Sequence, residues 1–264
     1  NAKDAISAAD TEQAVTTAQK SGVDAINGIK VPSTSTQKDQ AKDNINKAAD
    51  DAKKEIDQDS NLTDDQKQAA KNQIDSDAKN AQKAIDDAKA DTDVNNAIND
   101  GKLAIDKTAA NAALDNAAAG KDKEIANSPL TTDEQNKLRD QVANEVKTAK
   151  DNIAKVTTDS AVATAQEKGV AAINGIKVPT NSTAKDQAKS NITDTADKAK
   201  QAIDQDDNLT DDQKQAAKDQ VDTDAKNAQD AIDNAKNDAD VTKSTNDGQL
   251  NIDKTVANAA IDNA

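Results

Sequence analysis

Residues 62–89 read LTDDQKQAAKNQIDSDAKNAQKAIDDAK, and apolar side chains recur in them every three or four positions. The stripe comprises Ala70, Ile74, Ala78, Ala81, Ile85 and Ala88, while Asp, Lys, Gln and Asn fill most other positions. This is the period of one face of an α-helix, so the stretch predicts a long amphipathic helix with a narrow apolar face. One helix cannot bury such a face alone, and the sequence therefore predicts partner helices.

The same stretch recurs further along the chain. Leu209 lies 147 residues after Leu62, and GVDAINGIKVPSTS from Gly22 recurs at the same distance as GVAAINGIKVPTNS from Gly169. A weaker half-repeat places a glycine between a Val seven residues before it and an Ile four residues after it. These glycines are Gly22, Gly101, Gly169 and Gly248, spaced by 79, 68 and 79 residues. Two related units, one longer than the other, thus alternate in tandem.

The periodicity predicts helices near residues 12–27, 37–57, 63–90, 93–106, 110–126, 132–157, 159–174, 184–205, 210–238 and 240–255. Three of them begin with the spacing of a capping box, which starts at Thr63, Thr132 and Thr210. Gly28 and Gly175 suit left-handed C-terminal caps, and the polar segments around Pro32 and Pro179 predict breaks.

Two parts of the chain allow more than one interpretation. The junctions near Asp91, Thr158 and Asp238 contain no Gly or Pro, which favours a helix that continues from one bundle into the next. The alternative there is a tight turn capped by Thr or Asp. Residues 106–114 contain no strong helix breaker, so the helices 93–106 and 110–126 are also consistent with one kinked helix.

The fold class predicted by these patterns is all-α. Tandem three-helix bundles form an elongated rod and are joined by long helices that neighbouring bundles share. The predicted divisions are the end of a preceding repeat helix (1–10), a long unit (11–91), a short unit (92–157), a second long unit (158–238) and the start of another short unit (239–264). The sequence begins without Met and stops within a helical pattern, so we interpret it as an internal piece of a longer protein.

The composition excludes many kinds of chemistry. The sequence has no Cys, His, Met, Trp, Tyr or Phe, and its hydrophobic fraction of 34% is low because most domains have about 45–50%. It offers no thiol or imidazole for catalysis or zinc binding. A net charge of −15 argues against nucleic-acid binding. No apolar run is long enough to span a membrane. We therefore expect no enzyme activity and no catalytic, cofactor-binding or metal-binding residues.

Three patterns in the sequence are candidate sites. Alternating polar residues at Asp57, Asp59, Asn61, Thr63 and Asp65, repeated at Asp204, Asp206, Asn208, Thr210 and Asp212, partly match a calcium loop. They lack its glycine and its bidentate glutamate, and helix capping explains the same residues. Acid pairs such as Asp64/Asp65 and Asp86/Asp87 diverge by about 100° on a helix, which favours solvated surface over catalysis. For the four mid-helix glycines, close approach between helices is favoured over phosphate binding because no P-loop spacing is present.

The run at residues 62–89, followed by a Val–Gly–Ile segment, resembles the repeats called domain of unknown function (DUF) 1542. The resemblance covers nearly the whole chain. Such repeats occur in long wall-anchored surface proteins of Gram-positive bacteria, and the layout is similar to the helical repeats of giant staphylococcal extracellular-matrix-binding proteins. The Asp- and Asn-rich composition, with Arg139 as the only arginine, is similar to that of lactobacillus proteins.

The resemblance implies a location outside the cell, at the cell wall. From it we expect a stalk or spacer of a cell-surface adhesin, a monomeric rod that projects a terminal domain. The alternative is a helical binding module for host extracellular-matrix or serum proteins that contributes to adhesion, aggregation or biofilm. Like chains on neighbouring cells are a further candidate partner. Neither nucleic acid nor membrane insertion is expected.

Overall fold

The computed structural model describes residues 1–29 and 35–261, and within them it contains ten α-helices and no strand. The helices are α1 (Ala2–Ser7), α2 (Glu12–Asn27), α3 (Thr36–Gln58), α4 (Asp64–Asp87), α5 (Asp91–Ala126), α6 (Thr132–Lys155), α7 (Asp159–Gly175), α8 (Thr183–Asp204), α9 (Asp211–Asn234) and α10 (Asp238–Ile261). The predicted all-α class is confirmed. The break predicted at Pro32 lies outside the described residues.

Eight of these helices, α3–α10, form three complete bundles, each with its own core, and α5 contributes one half to each of two bundles. The first bundle joins α3, α4 and the N-terminal half of α5; the second joins the C-terminal half of α5 with α6 and α7; the third consists of α8, α9 and α10. The largest fully buried side chains are almost all isoleucines, such as Ile45, Ile74 and Ile85 in the first bundle. Alanines fill the remaining core positions, so the helices approach closely and the bundles are thin.

The cores extend across the divisions predicted from the repeat. Val94 and Ile105 lie in the same core as Ile45, although a division was predicted between residues 91 and 92. Likewise, Ile252 shares a core with Ile192 across the division predicted at residues 238 and 239. After the second helix of each bundle, a turn reverses the direction of the chain. The next helix therefore runs back along the same bundle and completes its core.

The continuous helices predicted near Asp91, Thr158 and Asp238 are wrong. Helices α4, α6 and α9 end before these positions, and Ala88, Val156 and Ala235 have extended backbone. The alternative, a tight turn, is what the structure contains.

Lysines from other helices explain why these helices end without Gly or Pro. The Lys38 ammonium donates to the carbonyls of Asp86 and Ala88, at 2.8 and 2.7 Å. Lys185 donates in the same way to the carbonyl of Asp233, at 2.9 Å. The last carbonyls of a helix have no partner within it, and here an ammonium group satisfies them.

The shared helix lies elsewhere, in the short unit. The predicted pair 93–106 and 110–126 is a single helix, α5, of 36 residues. Its N-terminal half packs on α3 and α4, and its C-terminal half packs on α6 and α7. Between the halves, Ala110, Ala112 and Leu114 are buried, so the segment without breakers remains helical and passes from one core to the next. At 1.5 Å per residue, α5 is about 54 Å long.

The structure confirms some of the predicted helix caps and contradicts others. Thr63 and Thr210 begin capping boxes as predicted, but the third box is formed by Thr131 with Glu134, one residue before the predicted start at Thr132. The left-handed caps predicted at Gly28 and Gly175 are wrong, because no glycine in the described residues has a positive φ. At the end of α7 the side chain of Lys121 donates to the carbonyls of Asn174 and Ile176 instead.

The mid-helix glycines lie where two helices touch, as expected. A Cβ on Gly169 would lie 2.6 Å from the Cβ of Ala149 and 2.7 Å from Cδ2 of Leu114. A Cβ on Gly101 or Gly248 would meet an alanine of the second helix and an isoleucine of the first in the same way. Because the side chain of glycine is a single hydrogen, the three helices of each bundle can approach one another closely at this position.

Candidate functional site

The residues that resembled a calcium loop lie in the α3–α4 and α8–α9 turns, where they bind other parts of the protein. The Asp57 carboxylate accepts a hydrogen bond from the Lys71 ammonium at 2.7 Å, which lowers the pKa of Asp57. Thr63 caps α4. Burial raises the pKa of Asp59. These contacts show that the residues stabilise the turn. Among residues 1–29 and 35–261, no group of three acidic side chains is placed to hold a metal ion.

The two carboxylates of the Asp86/Asp87 pair bind different lysines. The Asp86 carboxylate pairs with Lys42 of α3 at 2.9 Å, whereas Asp87 pairs with Lys83 of its own helix. The hydrogen bond from Lys83 lowers the pKa of Asp87. The two carboxylates therefore face different cations and do not act on one point.

Neighbouring bundles contact each other at two joints. In the first joint, where α5 passes from the first bundle to the second, the α3–α4 turn rests on the C-terminal half of α5. The backbone N–H of Asn61 donates to Oδ1 of Asn116 at 2.9 Å, and Lys123 donates to Oδ1 of Asn61 at 3.2 Å. Gly120 lies directly below, where a Cβ would be 2.8 Å from Nδ2 of Asn61. These contacts fix the turn to the shared helix.

An acidic side chain is half-buried on α5 in the first joint. Burial raises the pKa of Asp106, and the nearby carboxylates of Asp159 and Glu55 raise it further. The first joint is therefore stabilised when this carboxyl is protonated.

The second joint connects the second and third bundles through the α5–α6 turn and the α9–α10 turn. The Thr131 hydroxyl donates to Oδ1 of Asp238 at 2.6 Å, and the backbone N–H of Thr132 donates to the carbonyl of Lys236 at 2.8 Å. In return, the N–H of Asp238 donates to Oδ2 of Asp133 at 2.8 Å. Because the two turns lie at opposite ends of their bundles, the bundles follow one another end to end.

Glu134 connects two helix N-termini within the second joint. One carboxylate oxygen accepts the Thr131 N–H at 3.0 Å and the other accepts the Ala184 N–H at 3.2 Å, so the side chain caps α6 and α8 together. Burial raises its pKa, but hydrogen bonds from Ser182, Thr131 and Ala184 outweigh this and hold the pKa below its ordinary value. A negative charge is favourable beside both N-termini.

The bundles coincide with three matches to one protein family. Residues 37–108, 106–181 and 184–260 each match the family described as Domain of Unknown Function (DUF1542). The chain belongs to the DUF1542 family. The first two repeats meet inside α5, and the second and third meet at the α7–α8 loop. Comparisons with curated proteins and with solved structures found no match. DUF1542 repeats are consistent with a repeat region of a surface protein.

Lys121 is a buried structural residue of the second DUF1542 repeat that the sequence did not indicate. Its side chain is 7% exposed, and its ammonium donates to the carbonyls of Asn174 and Ile176, at 3.1 and 3.0 Å. Glu124 balances the charge at 2.6 Å. Lys121 belongs to α5 and lies 53 residues before Asn174, yet it caps the C-terminal end of α7. Sequence spacing holds no signal for so distant a contact.

The second repeat also carries an open groove between α5 and α6. Its volume is 760 Å³, and its floor is apolar, with Ala118, Ile125 and Val142 among the lining residues. Charged side chains lie at its rim, where Arg139 Nε pairs with Asp122 at 2.6 Å. The only arginine of the sequence and the alanine run at residues 117–119 were the available signals for it.

None of the helices within residues 1–29 and 35–261 combines the length and the apolar character that crossing a bilayer requires.

Proposed function

We propose that this chain is a non-enzymatic spacer region of a bacterial cell-surface adhesin, which projects a terminal domain away from the cell wall. The observation that carries the proposal is the succession of three DUF1542 bundles, end to end, through one shared helix and one hydrogen-bonded joint. A spacer requires length, resistance to bending and a solvated surface, and both joints and the net charge of −15 support these.

Small-angle X-ray scattering tests the spacer directly. A bundle of 24-residue helices is roughly 35 Å long, so three in line are about 100 Å long. A thin rod of that length has a radius of gyration of about 30 Å, whereas a compact protein of this size has about 18 Å. We expect a value near the former, unchanged between dilute and concentrated samples. A value near the latter contradicts the proposal.

A functional assay follows from the same geometry. A small ligand-binding domain would be displayed on a bacterial surface above one repeat (184–260) or above the whole chain. If the region is a spacer, capture of a bulky ligand rises with the number of repeats, while capture of a small ligand does not. Equal capture of the bulky ligand by both displays contradicts the proposal.

The groove of the second repeat favours a second candidate function, a helical binding module for host matrix or serum proteins. Its apolar floor is an accessible surface on which a partner side chain can dock. The test is binding of the chain to immobilised fibronectin, fibrinogen, albumin and mucin. Ala143→Glu, which places a charge in the groove, should abolish binding, while Thr16→Glu on α2 should not. Binding that is absent or equal in both variants excludes this candidate.

A further inference from the structure

Helices α1 and α2 expose an apolar face that the complete repeats bury. Its main members are Ile6, Val15 and Ile26, whose side chains are 36%, 37% and 65% exposed. Their counterparts 147 residues later in the second repeat are Ile153, Val162 and Ile173, which are 0%, 2% and 0% exposed. The residue types are identical, so the difference in exposure comes from what lies on top of them.

The two helices already have the mutual geometry of a complete repeat. A Cβ on Gly22 would lie 2.6 Å from the Cβ of Ala2, and the counterpart distance from Gly169 to Ala149 is also 2.6 Å. The pair α1–α2 therefore matches the end of α6 and the whole of α7. The one difference at this contact is Leu114 of α5, which lies 2.7 Å from the same position on Gly169 and has no equivalent above Gly22.

The second repeat shows which chemistry covers such a face. The C-terminal half of α5 places Leu114 on the glycine. Asp115 pairs with Lys150 at 2.6 Å, and the counterpart of Lys150 is Lys3. Lys121 donates to the carbonyls of Asn174 in α7 and of Ile176 just after it, and the counterparts of those carbonyls belong to Asn27 at the end of α2 and to Ile29 just after it. A helix with this sequence thus finds both an apolar surface and matching polar groups on α1–α2.

The chain contains the beginning of a second helix of this kind. Residues 253–261 of α10 read DKTVANAAI, and residues 106–114 of α5 read DKTAANAAL. Ile261 is the counterpart of Leu114, yet it is 70% exposed, whereas Leu114 is fully buried. This structure therefore exposes both the apolar face of α1–α2 and, in α10, the start of the kind of helix that covers such a face in the second repeat.

We infer that the face formed by Ile6, Val15 and Ile26 binds a helix–turn–helix segment of the kind found in residues 106–147, with its first helix parallel to α2 as α5 is to α7. The partner is another DUF1542 repeat segment, recognised by a leucine over Gly22, an aspartate beside Lys3 and a lysine at the end of α2. This binding surface goes beyond the spacer function and does not depend on it.

Hydrogen–deuterium exchange of the 264-residue chain tests the surface, with a synthetic peptide of residues 106–147 as the probe. We expect the peptide to slow amide exchange in α2 at least about tenfold at saturation and to leave α8–α10 unchanged. The Leu114→Asp peptide should have no effect. Ile26→Asp in the chain should abolish the protection, while Thr16→Asp should retain it, because the counterpart of Thr16 is exposed in the complete repeat.

A covalent version covers the case of a peptide that does not fold in isolation. Residues 106–147 are fused directly before Asn1, in the order in which they precede the counterpart position 148. We expect α1–α2 in this chain to reach the protection of α6–α7. Unchanged exchange in the fused chain overturns the inference, as does equal protection by the Leu114→Asp peptide. Self-association of the chain without peptide, lost in both Ile261→Asp and Ile26→Asp, supports it, because α10 of a second copy begins the same kind of helix.

Discussion

The substitution Gly169→Ala tests whether the bundles depend on a hydrogen at the contact of three helices. The added methyl group would lie 2.6 Å from Cβ of Ala149 and 2.7 Å from Cδ2 of Leu114. Carbon atoms in contact prefer about 3.5–4.0 Å, so both neighbours must move by about 1 Å. Because the neighbours belong to two different helices, one side-chain rotation cannot relieve both contacts.

The expected magnitude is the balance of two terms. Overpacking a core by one methyl group costs about 1–3 kcal/mol. Replacing glycine by alanine within a helix recovers up to about 1 kcal/mol. We therefore expect Gly169→Ala to destabilise the second repeat by about 1–2 kcal/mol, which lowers the melting temperature of a domain of this size by several degrees, at about 4–8 °C per kcal/mol.

Gly175→Ala is the matched control, since it lies in the same helix and a Cβ there meets nothing within 4 Å. We expect it to be neutral or to stabilise by up to about 1 kcal/mol. Thermal unfolding followed by circular dichroism gives the shift, and hydrogen exchange assigns it to α5–α7. The double variant Gly169→Ala/Ala149→Gly should recover part of the loss, because the contact with Leu114 remains. Equal stability of the two single variants would refute the reasoning.

Three further predictions concern ionisable side chains. Lys121→Met leaves the carbonyls of Asn174 and Ile176 without this donor and should destabilise the second repeat by about 1–3 kcal/mol in a urea titration, while Lys137→Met at an exposed position of α6 should change it by less than about 0.5 kcal/mol. Because the pKa of Glu134 is lowered on folding, its stabilising effect is complete above its unfolded value of about 4.3 and is lost as the pH falls through the folded value. The protection factors of the amides at residues 182–184, which are corrected for the pH dependence of intrinsic exchange, should therefore fall in acid, and Glu134→Gln should remove that dependence. Since the pKa of Asp106 is raised, Asp106→Asn should raise the melting temperature at neutral pH, and a lower melting temperature would contradict the burial we describe.

Local patterns predicted much of the fold. The stripe of residues 62–89 gave α4 within a few residues at each end, and the Val–Gly–Ile spacing located the third helix of each bundle. The mid-helix glycines were predicted correctly because a glycine within an apolar stripe has few uses other than close approach. These signals lie within one helix and depend on spacing alone.

The ends of the helices were predicted less well, because their causes are remote in sequence. Nothing near Ala88 indicates that α4 ends there, since the donor is Lys38 of another helix. The predicted glycine cap of α7 failed for the same reason, as Lys121 takes that role. The joints escaped prediction entirely: Thr131 and Glu134 have the pattern of an ordinary capping box, and only the fold brings Asp238 and Ala184 to them.

The two joints differ because one is a continuous helix and the other is a contact between turns. This difference affects how such a protein can gain or lose repeats. A duplication or deletion of a single repeat has a boundary inside α5, where it joins helix segments that are not equivalent in sequence. A boundary in the loop at residues 176–182 leaves whole helices on both sides. The unit that recombination can add or remove without damage is therefore the pair of repeats, and the close similarity of segments 147 residues apart is what expansion by such pairs would leave behind.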